Sequence, residues 1–564
     1  MITDTHQAPG QVLGASPSYT ALFTPKLVTI LREKYGIADL RADILAGLTV
    51  AVVALPLSMA IAIASGAPPE RGIYAAIIGG FFVSLLGGSR FQIGGPAGAF
   101  IVLVSLCAAR HGLEGMAFAV ILSGFILMAA GFLKLGTYIK FIPYPVTVGF
   151  TAGIATIIFA SQIGEALGLS GNEPAALWPK LLSISQSLGQ AQAPALFVAI
   201  STIAVIVLLG RLRPHWPAFL IALSATSVLV AVFGWHIDTI GTQYGGISSV
   251  LPSPALHIPR AAEIVSLLPD AFAFALLGSI ESLLSATVAD GMTGRRHRSN
   301  CELVAQGVAN IFSGLFGGLC VTGTIARTAT NIRAGARGPL AGIAHSIFLL
   351  LFMFAAAPVA KFIPLAALAG VLAVVAWNMF EKRAFATLLN ASRSDAAVLL
   401  ATFLLTIFRD VATGIVVGFG IGMVLFMARM SKTIGIETVP LVAEDVADGG
   451  VRTRYDAGLA ADRSRIVFRL SGAFFFGTAS TVASVLDSIA ERPKTFILDF
   501  AAVPFLDSSA AVTIDAFSRK AAREGMAFVI TGASPPVKSM LAAHGLAETG
   551  VRFERSIADA LAST

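Results

Sequence analysis

The sequence predicts an all-α membrane domain of about 14 segments, built as two inverted seven-segment repeats and followed by a small α/β domain. Three observations support this fold class. First, 56% of the 564 residues are hydrophobic and only 13% are charged, whereas a soluble protein carries roughly 25% charged residues. Second, Lys and Arg are unevenly distributed among the loops; third, the composition changes near Thr433. We therefore expect a multi-pass protein of a lipid membrane and, despite the net charge of +7, no nucleic-acid partner.

Seven apolar segments are expected in the first half of the chain. Their approximate bounds are 44–64, 72–86, a half-helix from residue 96, 116–133, 145–164, 193–210 and 217–234. Several approach the roughly 20 apolar residues that a helix needs to cross a bilayer. Polar loops are expected at 165–191 and 235–268.

The second half repeats this pattern. Its segments are expected at 269–289, 303–316, a broken segment within 314–337, then 341–356, 364–377, 396–408 and 411–427. The two repeats thus cover about 44–234 and 269–430. Because each repeat has an odd number of segments, the second crosses the membrane in the opposite sense to the first.

The positive charges support this count. If the N-terminus is inside, the loops expected inside carry Lys134, Lys140, Arg211, Arg213, residues 295–298, Arg333, Arg337, Lys382, Arg383 and Arg393. The loops expected outside carry chiefly Lys180, Arg260 and Lys361. This bias follows the positive-inside rule. It predicts an inner-membrane protein with both termini in the cytoplasm.

The soluble parts lie at the two ends of the chain. Residues 1–43 are polar and mixed and are expected to form a cytoplasmic segment, followed by a transporter domain at 44–432. From 433 to 564, strands expected at 464–470, 495–500 and 527–531 alternate with helices expected at 478–490, 508–524 and 535–544. That alternation indicates an α/β domain. Asp507 is expected to cap the second of these helices.

Two segments, within 84–99 and 314–337, are too rich in glycine to cross as ordinary helices. Each has a Gly-Gly break, a short extended piece and then a helix start of small residues. Non-helical backbone is tolerated at membrane depth only where protein or a water-filled cavity surrounds it. Broken segments at corresponding places in two halves are the best sequence indication of a transporter's binding site.

The two helix starts predict an anion site. A helix that begins within the membrane presents unpaired N–H groups and a positive dipole end, which attract anions. Pro96 suits a first helical position, and Thr322 or Thr324 suits an N-cap. The predicted substrate-binding residues are Ala97, Gly98, Ala99, Thr324, Ile325, Ala326 and Arg327. The alternative is that these glycines serve only tight helix packing.

Arg327 follows in the first turn of the second half-helix. A guanidinium within the membrane is costly and by default marks a pathway or binding site. It could receive an oxyanion bidentately. The alternative is a structural partner of a carboxylate that never meets substrate.

Glu281 is the other charge expected within the membrane, and Ser285 lies one turn beyond it. Its charge state would depend on burial and on whether Arg327 is engaged, which suits proton coupling. A sodium site that uses Glu281 and Ser285 is the rival, and structural pairing with Arg327 is a third reading. No cofactor is expected beyond a coupling H⁺ or Na⁺, and no metal site. His345 is expected to be a hydrogen-bonded core histidine.

Three motifs resemble the SulP (sulfate permease) anion transporters. They are Val53-Ala-Leu-Pro-Leu-Ser-Met-Ala, Gly66-Ala-Pro-Pro-Glu-Arg-Gly-Ile-Tyr-Ala, and Gly323-Thr-Ile-Ala-Arg-Thr-Ala-Thr-Asn with Gly335 after it. The tail with Leu506-Asp-Ser-Ser is similar to the STAS domain that ends those proteins. The resemblance covers nearly the whole chain from about Ile37.

This resemblance implies a uracil-permease-like fold. A core subdomain (segments one to four and eight to eleven) would move against a gate subdomain (five to seven and twelve to fourteen), usually within a homodimer. It implies anion binding between the starts of the third and tenth helices, with the family's arginine at Arg327 and its acidic position at Glu281. The expected function is secondary active transport of sulfate, bicarbonate or a dicarboxylate by alternating access, coupled to protons or sodium.

The sequence departs from the family pattern in two places. Leu57 and Ile61 stand where many members have Gln and Tyr next to the substrate, so the wall formed by the first segment is more apolar here. In the tail, Ala510 replaces the usual glycine, and the phosphorylation of the serine that matches Ser509 is not carried over. The STAS domain could still bind protein partners.

Three other functions remain open at this point. A nucleobase permease shares the fold but normally lacks both an arginine at this place and the STAS tail. A membrane-tethered signalling protein would act through its STAS domain, and an anion channel would carry the same substrate passively. The sequence contains no enzyme motif, so we expect a non-enzyme.

Overall fold

A computed structural model describes most of the chain. The described residues are 19–33, 35–138, 141–169, 177–213, 216–431, 435–438, 465–475, 478–479, 482, 493–546 and 550–563. The chain divides into two compact units, Met1–Phe419 and Gly420–Thr564.

Seven helical segments form the first repeat. They are α1 (Ile37–Ala64), α2 (Pro69–Leu86), α3 (101–111), α4 (113–132), α5 (Tyr144–Ala166), α6 (Ala193–Leu212) and α7 (Ala218–Phe233). The helix Ile101–Phe132 is divided into α3 and α4 by Gly112, whose φ of 69° and ψ of 177° are not helical. The short helices Tyr19–Phe23 and Lys26–Arg32 precede α1.

The second repeat also has seven segments. They are α8 (Ala261–Thr293), α9 (Ser299–Leu315), α10 (Ile325–Arg333), α11 (Leu340–Ala360), α12 (Leu365–Met379), α13 (Arg393–Phe408) and α14 (Val411–Ser431). Shorter helices connect the segments at Leu177–Ser187, Ile240–Tyr244 and Lys382–Ala391. Among the described residues, eight helices are long and apolar enough to cross a membrane by length and composition, and Ala218–Phe233 and Leu340–Ala355 are shorter apolar helices.

Helix packing follows the two-repeat pattern. α1 packs on α11, and α8 packs on α4; α5 packs on α13, and α12 packs on α6. Exchanging each helix for its counterpart in the other repeat, seven places later or earlier, converts the first contact of each pair into the second. The contacts also divide the helices into two groups. The core subdomain consists of α1–α4 and α8–α11. The gate subdomain contains α5–α7, α12 and α13. The fold class expected from the sequence is confirmed.

Two expectations about the connections were wrong. The polar loop 165–191 contains the helix Leu177–Ser187, and the expected loop 235–268 ends early because α8 already begins at Ala261. Pro269 therefore lies inside α8 rather than at its start. A proline within a membrane helix is tolerated because neighbouring helices can satisfy the backbone group that it frees.

The C-terminal unit contains a five-stranded sheet. Its strands, in sheet order, are β3 (Gly435–Thr438), β4 (Arg465–Ser471), β5 (Thr495–Ala502), β6 (Ala527–Thr531) and β7 (Arg552–Glu554). β3 pairs antiparallel with β4 and the remaining pairs are parallel. The helices are α15 (Ser508–Arg523), α16 (Pro535–Ala543) and α17 (Ile557–Ala562).

Apolar side chains cover both faces of this sheet. Phe496 packs with Phe517 of α15 on one face, and Ile497 packs with Ala560 of α17 on the other. Asp507 caps α15, as expected, and accepts a hydrogen bond from the Ala510 amide at 2.9 Å. The expected helix at 478–490 lies mostly outside the described residues.

Candidate functional site

Two very short strands join the broken segments inside the membrane domain. β1 (Gly94–Pro96) pairs antiparallel with β2 (Val321–Gly323), with Gly95 opposite Thr322. All six residues are buried. The pairing satisfies backbone groups that would be costly to leave unpaired at membrane depth. It also fixes the two helix starts side by side, since each strand leads directly into one of them.

Two glycines are required because side chains lie against the strand backbone. A Cβ at Gly95 would overlap Nη1 of Arg327, and a Cβ at Gly323 would overlap the side-chain amide of Gln92. Gly95 and Gly323, in the extended pieces that follow the Gly-Gly breaks, therefore allow the Arg327 guanidinium and the Gln92 amide to approach β1 and β2.

Arg327 lies in the first turn of α10, where the sequence predicted it. It is only 2% exposed. Its Nη2 donates to Ser58 Oγ at 3.2 Å and to the Pro96 carbonyl at 3.1 Å. Nε and Nη1 have no hydrogen-bond partner among the described residues. Arg327 forms no ion pair with a described carboxylate, so the structure keeps unused donors beside the helix starts.

The predicted binding residues at the two helix starts are all close to the strand pair. Ala97 and Ala99 are buried, and Gly98 is partly exposed at the start of a short 3₁₀ turn, Gly98–Phe100, that leads into α3. On the other side, Thr324 and Ile325 are partly exposed and Ala326 is exposed. The structure thus brings both groups together, next to Arg327.

The expected capping at these starts needs correction. Pro96 is not a first helical residue, because it pairs with Val321 and the helical backbone starts at Gly98. Thr322 lies in β2 and donates to the Gly278 carbonyl at 3.0 Å. Thr324 has the N-cap position but makes no side-chain capping bond, and its buried Oγ1 has no partner among the described residues.

The predicted coupling residues lie on α8 beside the site. Glu281 is partly buried and forms no hydrogen bond or ion pair with a described residue, so the expected alternative of pairing with Arg327 is not observed. Ser285 is buried and donates to Thr328 Oγ1 at 3.1 Å. In the described part of the chain, no three His, Cys, Asp or Glu residues are grouped so that they could hold a metal ion.

Sequence reasoning missed the contacts that hold this region together. Gln92 donates to Ser282 Oγ at 2.7 Å, the Ile93 amide donates to Thr328 Oγ1 at 3.2 Å, and Asn331 donates to the Phe91 carbonyl at 2.9 Å. These bonds join the chain before β1 to α8 and α10. Polar residues in apolar segments were the available signal, but their partners are distant in sequence.

The fold and the site define a class of protein. Inverted repeats of seven helices, divided into a core and a gate, with two half-helices starting beside a buried arginine, are the architecture of a membrane transporter for anions. The model of the sulfate permease family matches residues 40–402, and that of the STAS domain matches residues 459–560. The chain therefore belongs to the sulfate permease family, and it is an anion transporter rather than an enzyme.

Individual relatives agree with this assignment. YvdB of Bacillus subtilis, provisionally named a sulfate transporter, is 38% identical over 518 residues, which cover 91% of this chain and 95% of the relative. The bicarbonate transporter BicA of Synechocystis is 32% identical over 529 residues, covering 91% of each chain.

Solved structures show the same fold. The transmembrane domain of a cyanobacterial bicarbonate transporter, BicA, matches 68% of this chain and 98% of its own, with 32% identity and a TM-score of 0.62. Murine Slc26a9 in its inward-facing state matches 98% of this chain and 96% of its own, with 17% identity and a TM-score of 0.83.

Proposed function

We propose that this protein is a secondary active transporter that binds a small anion between the starts of α3 and α10 and moves it by alternating access. The observation that carries the proposal is Arg327, which is held against β1 yet keeps Nε and Nη1 without partners in the described part of the chain. An oxyanion placed there would accept charge-assisted hydrogen bonds from the guanidinium. It would also meet the positive ends of two helices.

The proposed substrate class is sulfate, bicarbonate or a dicarboxylate. The names of relatives support both inorganic anions, since BicA of Synechocystis is a bicarbonate transporter and a Bos taurus relative, 28% identical over 447 residues, is a sodium-independent sulfate anion transporter. On this chain, Leu57 and Ile61 lie on α1 just before and three residues after Ser58, at positions that the family resemblance places next to the substrate, so we expect the α1 side of the site to be apolar. That surface favours an anion that needs few donors from α1.

We further propose that Glu281 and Ser285 form the site of the coupling ion. Glu281 has no protein partner among the described residues, and Ser285 is joined through Thr328 to the first turns of α10. A proton or a sodium ion bound there would neutralise the Glu281 carboxylate and so remove its repulsion of an anion at Arg327, which is stronger in a low dielectric. Core and gate subdomains, which pack largely within themselves, would supply the moving parts.

The charge pattern of the loops and the family resemblance support a proposal for how the protein lies in the membrane. The protein would lie in the inner membrane with its N-terminus and STAS domain in the cytoplasm. It would act as a homodimer, with the STAS domain available to protein partners.

Counterflow in proteoliposomes tests the proposed function. Purified full-length protein would be reconstituted with unlabelled sulfate, bicarbonate or a dicarboxylate inside, and entry of the labelled anion would be followed while pH and sodium gradients are imposed separately. We expect counterflow for at least one of these anions and concentrative uptake with one of the two gradients. Absence of counterflow for the whole panel would contradict carrier-mediated transport of these anions, and uptake that only equilibrates under every gradient would contradict secondary active transport.

A further inference from the structure

Helix α9 carries a row of buried polar residues that the proposed mechanism does not use. The row consists of Glu302, Gln306, Asn310 and Ser313, whose spacing places them on one face of the helix. All four are 0% exposed. Because a buried polar side chain is normally hydrogen-bonded, the partners of these residues show what the row holds.

Three members of the row hold the backbone of the two broken segments. Glu302 Oε2 accepts from the Ser89 amide at 3.0 Å, in the chain that leads to β1. Ser313 Oγ donates to the Leu319 carbonyl at 2.6 Å, just before β2. Asn310, between them in the row, contacts β2 itself. Helix α9 therefore supports the broken segments of both repeats.

Asn310 pairs with β2 as a neighbouring strand would. Its Oδ1 accepts from the Val321 amide at 2.8 Å, and its Nδ2 donates to the Val321 carbonyl at 2.8 Å. The same Nδ2 also donates to the Gln306 carbonyl of α9 at 2.8 Å. Across the strand pair, Val321 lies opposite Pro96, which has no N–H to donate. Asn310 therefore satisfies both backbone groups of Val321, which Pro96 could not do.

We propose that Asn310 is a positioning residue for the anion site and acts through β2 on Arg327. Val321 begins β2, which leads directly to Thr324 at the N-cap of α10 and then to Arg327 in its first turn. Fixing Val321 therefore fixes where the guanidinium meets the Pro96 carbonyl. Without the amide, the N–H and C=O of Val321 would be buried and unpaired, which is costly, and β2 would shift to find other partners. The inference rests on the proposed anion site.

Equilibrium binding to purified full-length protein tests this inference. The probes are labelled sulfate, bicarbonate and succinate, and each variant is measured with the anions that the wild type binds. We expect the affinity of Asn310→Leu to be lower by about tenfold, because leucine is branched like asparagine but neither donates nor accepts. Asn310→Ser leaves space for a water that can pair with Val321, so its affinity should lie between those of the wild type and Asn310→Leu.

Two comparisons separate positioning from a general loss of stability. Gln306→Leu removes a buried amide one turn earlier, whose Nε2 donates to Glu302 Oε1 at 3.1 Å. It should bind like the wild type even where it lowers the Tm as much as Asn310→Leu does. In the Arg327→Ala background, Asn310→Leu should lower the affinity by less than about twofold, since a residue that acts through Arg327 then has nothing left to position.

The outcomes distinguish this inference from the proposed function. Wild-type affinity in folded Asn310→Leu, or in Asn310→Ser should the leucine variant not fold, would overturn the inference alone. Equal losses of affinity in Asn310→Leu and Gln306→Leu, or the full loss added to that of Arg327→Ala, would also overturn it. Absence of wild-type binding for all three anions would contradict the proposed function and the inference with it.

Discussion

Arg327 donates a hydrogen bond from Nη2 to Ser58 Oγ at 3.2 Å, and this contact joins the first turn of α10 to α1. The two residues are 269 positions apart in sequence and belong to different repeats. Both are buried. Because the same Nη2 also donates to the Pro96 carbonyl, one end of the guanidinium is fixed and the other is left for a ligand.

Ser58→Ala should weaken anion binding without removing it. The substitution deletes one of the two acceptors of Nη2, so Arg327 would be held by Pro96 alone. We expect an apparent affinity about fivefold to tenfold lower, which corresponds to about 1–1.4 kcal/mol. The measurement is the concentration dependence of counterflow, with Thr49→Ala as the control because Thr49 is exposed on the same helix and donates only to the Leu45 carbonyl. Equal affinities for wild type and Ser58→Ala would show that this contact does not position Arg327.

Gly95→Ala should abolish transport while the protein still inserts. The new Cβ would overlap Nη1 of Arg327, and overpacking of a buried site costs about 1–3 kcal/mol or displaces the group that it meets. We expect counterflow to fall by more than about tenfold. Gly210→Ala is the control, because a Cβ there meets nothing within 4 Å. Wild-type counterflow in a correctly inserted Gly95→Ala protein would contradict the geometry of this strand.

Tyr35→Phe should lower the stability of the end of the core where α1 begins by about 1 kcal/mol. The phenol donates to Asp43 Oδ2 at 2.6 Å, and Oδ1 of Asp43 accepts from the Arg337 and Gly338 amides. We expect the apparent Tm in detergent to fall by about 1–3 °C. Tyr138→Phe, at an exposed phenol, should change little.

This effect should not depend on pH near neutrality. Burial, and then the hydrogen bond to Asp43, raises the pKa of Tyr35. A raised pKa means that the contribution is fully present below the unfolded pKa of about 10 and is lost only as pH rises through the folded value. The difference in Tm between wild type and Tyr35→Phe should therefore be constant from about pH 6 to about pH 9, and a clear change within that range would contradict the assignment.

Glu281→Gln should separate exchange from accumulation. Removing the carboxylate removes the proposed coupling ion, but the anion site at Arg327 is left in place. We expect counterflow to persist and concentrative uptake driven by a pH or sodium gradient to be lost. Glu263→Gln is the control on the same helix, since Glu263 caps the exposed start of α8 through the Arg260 amide. If Glu281→Gln accumulates the anion under a gradient as well as the wild type does, Glu281 has only a structural role.

Much of the fold could be predicted because the bilayer sets the length of its elements. Most segment bounds lie within a few residues of the helices observed, and the strands at 495–500 and 527–531 were also correct. The errors have local causes. Pro269 suggested a helix start, but α8 runs through it because it is packed against other helices of the core.

The site could be predicted only in part. Glycines and a lone arginine within apolar segments pointed to the helix starts and to Arg327. Both residue types carry a free-energy cost inside a membrane helix, so their presence indicates a special role. The pairing of β1 with β2 and the roles of Ser58 and Gln92 could not be predicted, because they depend on contacts between residues far apart in sequence. The expectation of a hydrogen-bonded His345 was wrong, since neither ring nitrogen has a partner among the described residues, and one sequence cannot show which polar groups find partners.

The most direct test of the central claim is equilibrium binding of the transported anion to purified Arg327→Ala. The control is Arg333→Ala, since Arg333 is an exposed residue at the other end of α10. Loss of a bidentate, charge-assisted contact should weaken binding by about 100-fold, while Arg333→Ala should bind like the wild type. If Arg327→Ala binds the anion with wild-type affinity, the anion does not bind at the facing helix starts as proposed.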